Sequence, residues 1–440
     1  MRFASISTPA PRGCFALVCA FVLAGLLGLP SGAAAQTFDV SGFVKSSTYY
    51  DTRQVVAARD LDFLLYPTPN NPNADDPSDR DNLGSFQLFS RLGLNVGEFD
   101  EQVLGADVRG YFEADFFGPG SFSAAPDQEN FFRLRRGFAE MTWENRSVLF
   151  GLEWSPLFTL GAYPHTVATE AGAPFNPFAR QPMIKLTLDR GTVRLIGIAA
   201  WQFDAFVDAP LANAPLADAS STPLGGIDAQ QQSALPGLHG HVQYTDGDLL
   251  LGAGAYLKSL RPFPLGDRFF SGAGTAYLSY APSGYVIRAK TVYGSVRDHV
   301  GIGGYIYDPA AADAFGDADA FQQLNTWSAW LELEQTGTVA PGLFAGVLTN
   351  RGASDEIDGA EESIAYATRG VSPAGPSVAT VWEIAPRLAL NYGPMRFAFE
   401  VQVTTAQYTA RLDDTFAPDP LDDEESVTNI RGDFSVFLFF

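Results

Sequence analysis

Asp107, Arg109, Tyr111, Glu113 and Asp115 occupy every second position of one segment, and Arg133 and Arg135 repeat that spacing in the next. Groups two residues apart share one face of a strand, because successive side chains point to opposite sides. Such a face makes and breaks no bonds. Lining a water-filled passage, it sets a local field and sorts solutes by charge. Turned toward hydrocarbon at the bilayer midplane, each Arg or Lys would instead cost about 2–4 kcal/mol. Arg91, Arg396 and Arg431 fall on the same kind of face elsewhere, as do Lys185, Arg194, Arg288, Lys290 and Arg387. Glu332, Glu334, Glu383 and Glu400 are their acidic counterparts. We expect Arg91, Arg109, Arg133, Arg135, Glu113, Asp115, Glu170, Arg396 and Arg431 to line a pore. A lattice of ion pairs bracing the wall accounts equally well for any one of them.

Other chemistry finds little support. Nucleophilic catalysis needs a base beside a Ser or Cys. The four histidines are His165, His239, His241 and His299, and no Gly-x-Ser-x-Gly elbow accompanies them. We expect no catalytic residues; an outer-membrane hydrolase stands as the alternative. Cys14 and Cys19 both lie in the first 36 residues, so the remaining chain has no disulfide and no thiolate metal site. Asp75, Asp76, Asp79 and Asp81, and later Asp422, Asp423, Glu424 and Glu425, read as solvated loops. Carboxylates of that kind suit divalent cations bridging to anionic lipid, but no spacing specifies a metal cage. No metal and no cofactor are expected.

The elements that must carry these faces are strands. Leu104, Ala106, Val108, Gly110, Phe112, Ala114 and Phe116 alternate with the charged set of the third segment, a period of two that a helix would scatter. The segment Phe131–Trp143 breaks the alternation, because Arg136 and Glu140 share parity with Phe132, Leu134 and Phe138; this implies a bulge or a wall that meets protein. The last segment places Ile430, Gly432, Phe434, Val436, Leu438 and Phe440 on one face and Asn429, Arg431, Asp433 and Ser435 on the other. A soluble protein rarely leaves such an edge open, whereas the closing strand of a membrane barrel is covered by lipid on one side and water on the other.

Sixteen such segments can be counted, joined alternately by short turns and long polar loops. The expected fold is all-β: a transmembrane antiparallel β-barrel of 16 strands, short turns facing the periplasm and long loops outside. Mean hydropathy of +0.01 fits, since apolar and polar residues cancel along each strand. No run of apolar residues beyond the first 36 is long enough for a membrane helix. Residues 1–36 read as a signal peptide: Arg2 and Arg12, an apolar stretch from Phe15 to Leu29, then Ala33-Ala34-Ala35. Residues 37–440 form a single barrel domain. Removing the first segment takes away two Arg and no acid, so the net charge falls from −22 to −24. That balance repels phosphate and argues against nucleic-acid partners. Residues 155–181 are long, Pro-rich and almost uncharged for an outer loop; we expect them to fold inward, with Glu170 facing the arginines across the pore.

Three motifs occur in order: Phe112-Glu113-Ala114-Asp115-Phe116-Phe117-Gly118, Phe132-Arg133-Leu134-Arg135-Arg136-Gly137-Phe138-Ala139-Glu140 and Phe150-Gly151-Leu152-Glu153-Trp154-Ser155. Together they resemble the DcaP-like trimeric porins over roughly residues 103–190. The resemblance implies a homotrimer in the outer membrane, an inward loop after the fifth strand, and constriction arginines that favour anionic solutes such as carboxylates; Arg133 and Arg135 match by motif position. The implied function is passive diffusion of small hydrophilic solutes through a lipid-embedded barrel. The acidic loops keep a cation-preferring, substrate-specific channel open as an alternative.

Overall fold

The computed structural model describes residues 37–440 except 59–61, 72–74, 98, 100, 119–131, 204–225, 313–315, 358–362 and 373–374. The expected targeting segment, residues 1–36, lies outside the described residues, as do both cysteines.

Among the described residues, sixteen wall strands close into one antiparallel barrel. They are β1 (Thr37–Asp51), β2 (Asn82–Phe86 and Arg91–Gly97), β3 (Asp107–Asp115), β4 (Arg133–Trp143), β5 (Arg146–Trp154), β6 (Arg180–Arg190), β7 (Val193–Ala200) and β8 (Gly237–Asp246). The second half comprises β9 (Leu249–Leu260), β10 (Phe269–Tyr280), β11 (Tyr285–Gly294), β12 (Phe321–Gln335), β13 (Val339–Gly352), β14 (Ser377–Tyr392), β15 (Met395–Thr409) and β16 (Glu425–Phe439). Each pairs with its neighbour, and β1 pairs with β16 from Phe43↔Phe439 to Asp51↔Arg431. A lone sheet of this length would leave two edges of unpaired N–H and C=O groups; closure removes both. Phe440 completes the seam, its carbonyl accepting from the Gly42 N–H at 2.9 Å and its N–H donating to Gly42 O at 3.1 Å.

The two faces sort as the alternation requires. Phe112, Leu134, Ile384, Leu388, Phe399, Ile430 and Phe434 are exposed on the outside, while Glu113, Asp115, Glu383, Arg387, Glu400, Arg431 and Asp433 are buried within. Outward residues meet hydrocarbon and need no polar partner; inward ones must find each other or water.

The pattern departs from simple alternation in three places. In β4 the register slips opposite Glu113/Ala114, so that Glu113 faces Arg136 while Ala114 faces Leu134. This is a β-bulge, and it turns Arg135 and Arg136 inward together. In β2 the chain leaves the ladder at Gln87–Ser90, where the Ser90 N–H donates to Gln87 O at 3.2 Å. Phe86 and Leu88, which share the apolar parity of Leu92 and Leu94, pack inside with Phe117 for that reason. Leu104, expected on the third strand, instead precedes β3, exposed at a φ of 55° between the bridged residues Val103 and Ala106.

Loops fill much of the interior. A hairpin, Val55–Ala57 with Leu64–Pro67, sends Phe63, Leu65 and Tyr66 inward; residues 155–179 contribute Phe158, Phe175 and Phe178; and Val300 and Ile302 enter from the segment after β11. They pack on Trp330, Phe344, Leu348 and Val381 of the wall. Strands Gly303–Tyr307 and Ile364–Arg369 pair with each other beside the start of β12.

Deleting Phe440 removes both seam bonds and an apolar ring. We expect less heat-resistant folded barrel on semi-native electrophoresis after refolding into detergent. Wild-type yield would show that closure does not depend on this residue.

Candidate functional site

The site is built on β2–β5. Arg135 is fully buried, its Nε donating to Glu113 Oε1 at 2.8 Å and its Nη1 to Asp115 Oδ2 at 2.7 Å. Arg133 grips Asp115 with both arms, at 3.0 and 2.9 Å, and Arg136 grips Glu153 at 2.7 and 2.6 Å. Two-armed pairing of this kind is the strong form of the ion pair. Arg91 is held less closely, 3.9 Å from Glu113, with its guanidinium 4.2 Å above the Phe89 ring. The break in β2 is what brings Phe89 there. Arg135 and Arg180 both lie 5.5 Å from the Trp154 ring. Water still reaches part of this cluster: Arg91, Arg133 and Arg136 keep 21%, 16% and 18% of their side chains exposed.

Residues 155–179 cross the interior, and charged side chains from four strands hold their backbone. Lys45 of β1 donates to Val167 O at 2.9 Å. Lys290 of β11 donates to Leu157 O, Phe158 O and Asn176 Oδ1 at 2.9, 2.6 and 2.9 Å. Glu400 of β15 accepts from the N–H groups of Val167 and Ala168 at 3.0 and 3.1 Å, and Glu332 of β12 from that of His165 at 2.7 Å. A loop inside a barrel has backbone groups that its own strands cannot satisfy, and these side chains supply the partners. Arg288 and Arg387 meet Glu332 at 2.6 and 2.7 Å in turn. Four rings run along the loop: Trp154 to Phe158 at 4.0 Å, Phe158 to Tyr163 at 5.0 Å, and Tyr163 to His165 at 4.9 Å. The half-exposed His165 then lies 3.2 Å from Glu334.

A second buried network sits at the loop's start. Ser155 Oγ is 2.7 Å from His299 Nε2, and His299 Nδ1 is 3.0 Å from Asp298 Oδ1. Lys258 Nζ donates to Asp298 at 2.7 Å. Burial opposes the charge on Asp298, but Lys258 and His299 hold its carboxyl below the usual carboxylate range. Nothing in the sequence joins residues 155 and 299, so this contact is invisible to pattern reading.

Of the residues expected in the pore, Arg91, Arg133, Arg135, Glu113 and Asp115 come together. The others do not join them. Arg109 pairs with Glu140 at 2.6 Å near the short-turn end, where half of its side chain is exposed. Arg396 donates to Asn391 at 2.8 Å close to the turn between β14 and β15. Arg431 is buried against Asp51, at 2.9 and 2.7 Å, and donates to Asp62 O. Glu170 was expected to face the arginines; it is buried beside Gln402 of β15 at 2.5 Å. Its carboxylate turns to that wall because Gln402 offers the donor there. Arg136 and Trp154 belong to the site although alternation alone did not place them in it.

No family model matches the chain, and no curated protein sequence does. Solved structures match its architecture. The outer-membrane channel DcaP of Acinetobacter baumannii aligns with 94% of this chain and 100% of its own, at a TM-score of 0.64 and 15% identity. An anion-selective porin from Comamonas acidovorans aligns with 92% of this chain and 100% of its own, at 0.53 and 12%. OmpT of Vibrio cholerae, folded in vitro and in trimer form, aligns with 92% and 100%, at 0.50 and 10%. The chain has the fold of these outer-membrane channels. Within that porin fold the arginine cluster on β2–β5 and the clamped loop are described by this chain's own contacts.

Replacing Arg135 with Gln leaves Glu113 and Asp115 short of a buried partner, and we expect a loss of about 3–5 kcal/mol. Arg109→Gln, at an exposed pair, should change stability by no more than about 1 kcal/mol. Denaturant unfolding of both variants in detergent checks the contrast; equal losses would refute it.

Proposed function

We propose that the protein is a passive diffusion channel of the outer membrane for small hydrophilic solutes, with a preference for anions. One observation carries this reading: a loop is clamped across the barrel beside a strip of partly exposed arginines. A barrel serving only as a scaffold has no need for charged side chains on four strands to hold a loop within its bore. The preference follows from the count at the strip. Arg91, Arg133, Arg135 and Arg136 meet the carboxylates of Glu113, Asp115 and Glu153, which leaves one positive charge over. The strongly acidic balance of the chain lies partly in outer loops that use their acids locally. Asp76 pairs with Arg53, and Asp422 accepts from the N–H groups of Ala410 and Arg411. Loop acids therefore contribute less to the field at the arginines than their number suggests, since exposed charges are screened within about 8–10 Å.

The trimer form of the OmpT structure and the outward apolar face support a homotrimer seated in lipid. Residues 1–36 are read as the signal peptide that directs export, leaving 37–440 as the barrel.

A hydrolase is a second reading, because Ser155, His299 and Asp298 stand in nucleophile, base and orienter order. Against it, Ser155 and His299 are buried, and Lys258 already neutralises Asp298. As a tether, the same contacts join the start of the inward loop to the segment after β11. A fluorophosphonate probe should leave Ser155 unmodified in the folded barrel; stoichiometric labelling at Ser155 would establish the enzyme reading instead.

The channel reading is tested in planar bilayers. Wild-type protein should give discrete conductance steps and a reversal potential on the anion side in a KCl gradient. Arg91→Gln with Arg133→Gln should move that potential toward cations, because both guanidiniums reach solvent. An unchanged potential would remove them from the selectivity path.

A further inference from the structure

The inward loop meets β15 through Val167, Ala168 and Glu170, and it does so among acids. Glu170 of the loop, Glu383 of β14, Glu400 of β15 and Asp433 of β16 are each 3% exposed or less. Among the described residues none of the four has an ion-pair partner. The cations around them are committed elsewhere. Arg431 of β16, opposite Gln402 in the register, grips Asp51 with both arms and donates to Asp62 O. Arg387 of β14, opposite Glu400, pairs with Glu332, and Lys45 of β1 donates to Val167 O and Thr169 Oγ1. Burying an ionised carboxylate without a counter-charge is costly, and a like charge beside it raises the cost. At least one of these groups therefore holds a proton or a cation.

Hydrogen bonding decides which. Glu400 accepts the Val167 and Ala168 N–H groups, one at each oxygen. Glu383 accepts from the Thr404 hydroxyl at 2.8 Å and from the Gln402 amide at 3.4 Å, again one at each oxygen. Donors at both oxygens favour the charged form. Glu170 differs. Its Oε1 accepts from Gln402 Nε2 at 2.5 Å, while its Oε2 is buried and, among the described residues, has no partner. Gln402 Oε1 is buried and without a partner as well. Two acceptors are thus left over on two groups already joined by one hydrogen bond. A carboxyl and a primary amide pair through two such bonds when the carboxyl is protonated, because its O–H then donates to the amide oxygen. One proton on Glu170 Oε2 supplies the missing donor and satisfies both leftover atoms. Burial, and then the charge of Glu383, hold the Glu170 carboxyl well above the usual carboxylate range, with Arg431 acting against them less strongly.

We propose that Glu170 is protonated in the folded protein and, paired with Gln402, forms a proton-operated latch that holds the inward loop to β15. At pH values below the ordinary carboxyl range the pair is complete. As pH rises through the raised range the proton passes to solvent and the O–H···O bond is lost. Glu170 and Glu383 are then two carboxylates sharing one amide, and their repulsion drives the loop off β15. The inference adds a regulatory device to the channel reading and rests on that reading only for the effect on conduction.

The latch is read with and without conduction. Purified protein in detergent is compared with Glu170→Gln, which cannot ionise yet still offers Gln402 a donor and an acceptor, and with Gln402→Ala, which removes the partner. The infrared difference spectrum of wild type against Glu170→Gln should show the C=O stretch of a protonated carboxyl at neutral pH and lose it at alkaline pH. Thr166→Cys adds the only thiol of residues 37–440 and places a nitroxide on a partly exposed loop position. Its spectral lines should narrow at alkaline pH in the otherwise wild-type chain, stay broad in Glu170→Gln and be narrow at every pH in Gln402→Ala. In bilayers the open-channel current noise should rise over the same pH range and fail to rise in Glu170→Gln. If Gln402→Ala does not fold, the Glu170→Gln comparison decides alone. No carboxyl band in the difference spectrum, or the same pH transition in Glu170→Gln, would overturn the proposal. A transition that shifts with calcium or a chelator would assign the acids to a cation and overturn it equally. A spectroscopic transition in a protein that gives no KCl conductance would remove the channel reading and leave the latch standing.

Discussion

A chain in hydrocarbon has no water to satisfy its backbone, and this constraint underlies every other feature of the molecule. Strands can meet it only by closing on themselves. Closure through β1 and β16 forces one side-chain face outward and the other into a confined bore. The outward face is settled by transfer energetics alone. The inward face carries a harder requirement, because ionisable groups packed in a narrow barrel must be paired, hydrated or used to hold something.

All three solutions are present. Arg135 and Arg431 are paired to the point of losing contact with solvent. Arg91, Arg133 and Arg136 are paired but keep access to water. Lys45, Lys290 and Glu400 bond to the backbone of the inward loop. The last group links the two levels of organisation. A loop that enters a barrel exposes peptide groups to a place where strands cannot reach them, and wall charges are what can. The wall that closes the barrel thus also fixes the depth at which the loop narrows it.

Much of this was legible beforehand, because period-two alternation is a local property. Asp107 to Asp115 and Asn429 to Phe440 announced their faces residue by residue. The fault in β4 was legible as well, since Arg136 and Glu140 sat on an apolar parity; the bulge opposite Glu113 is its cause. The break at Gln87–Ser90 was not, because Phe86 and Leu88 preserve an apolar spacing across a stretch that leaves the ladder. Partner choice was less legible still. Arg431 and Arg91 look alike as inward arginines, yet one is sealed against Asp51 and the other lies open over Phe89.

Sequence alone therefore determined the barrel, its strand order, which residues face inward wherever the alternation is unbroken, and that the segment after the fifth strand is unsuited to an outer loop. These follow from alternation and composition, which act between neighbours in the chain. Tertiary structure decided which inward charges are spent on one another, which hold the loop and which still meet water. It also placed Glu170 against β15 and joined Ser155 to His299. Those outcomes depend on distances between strands far apart in sequence, set by the curvature and register of a closed wall, and no local pattern encodes them.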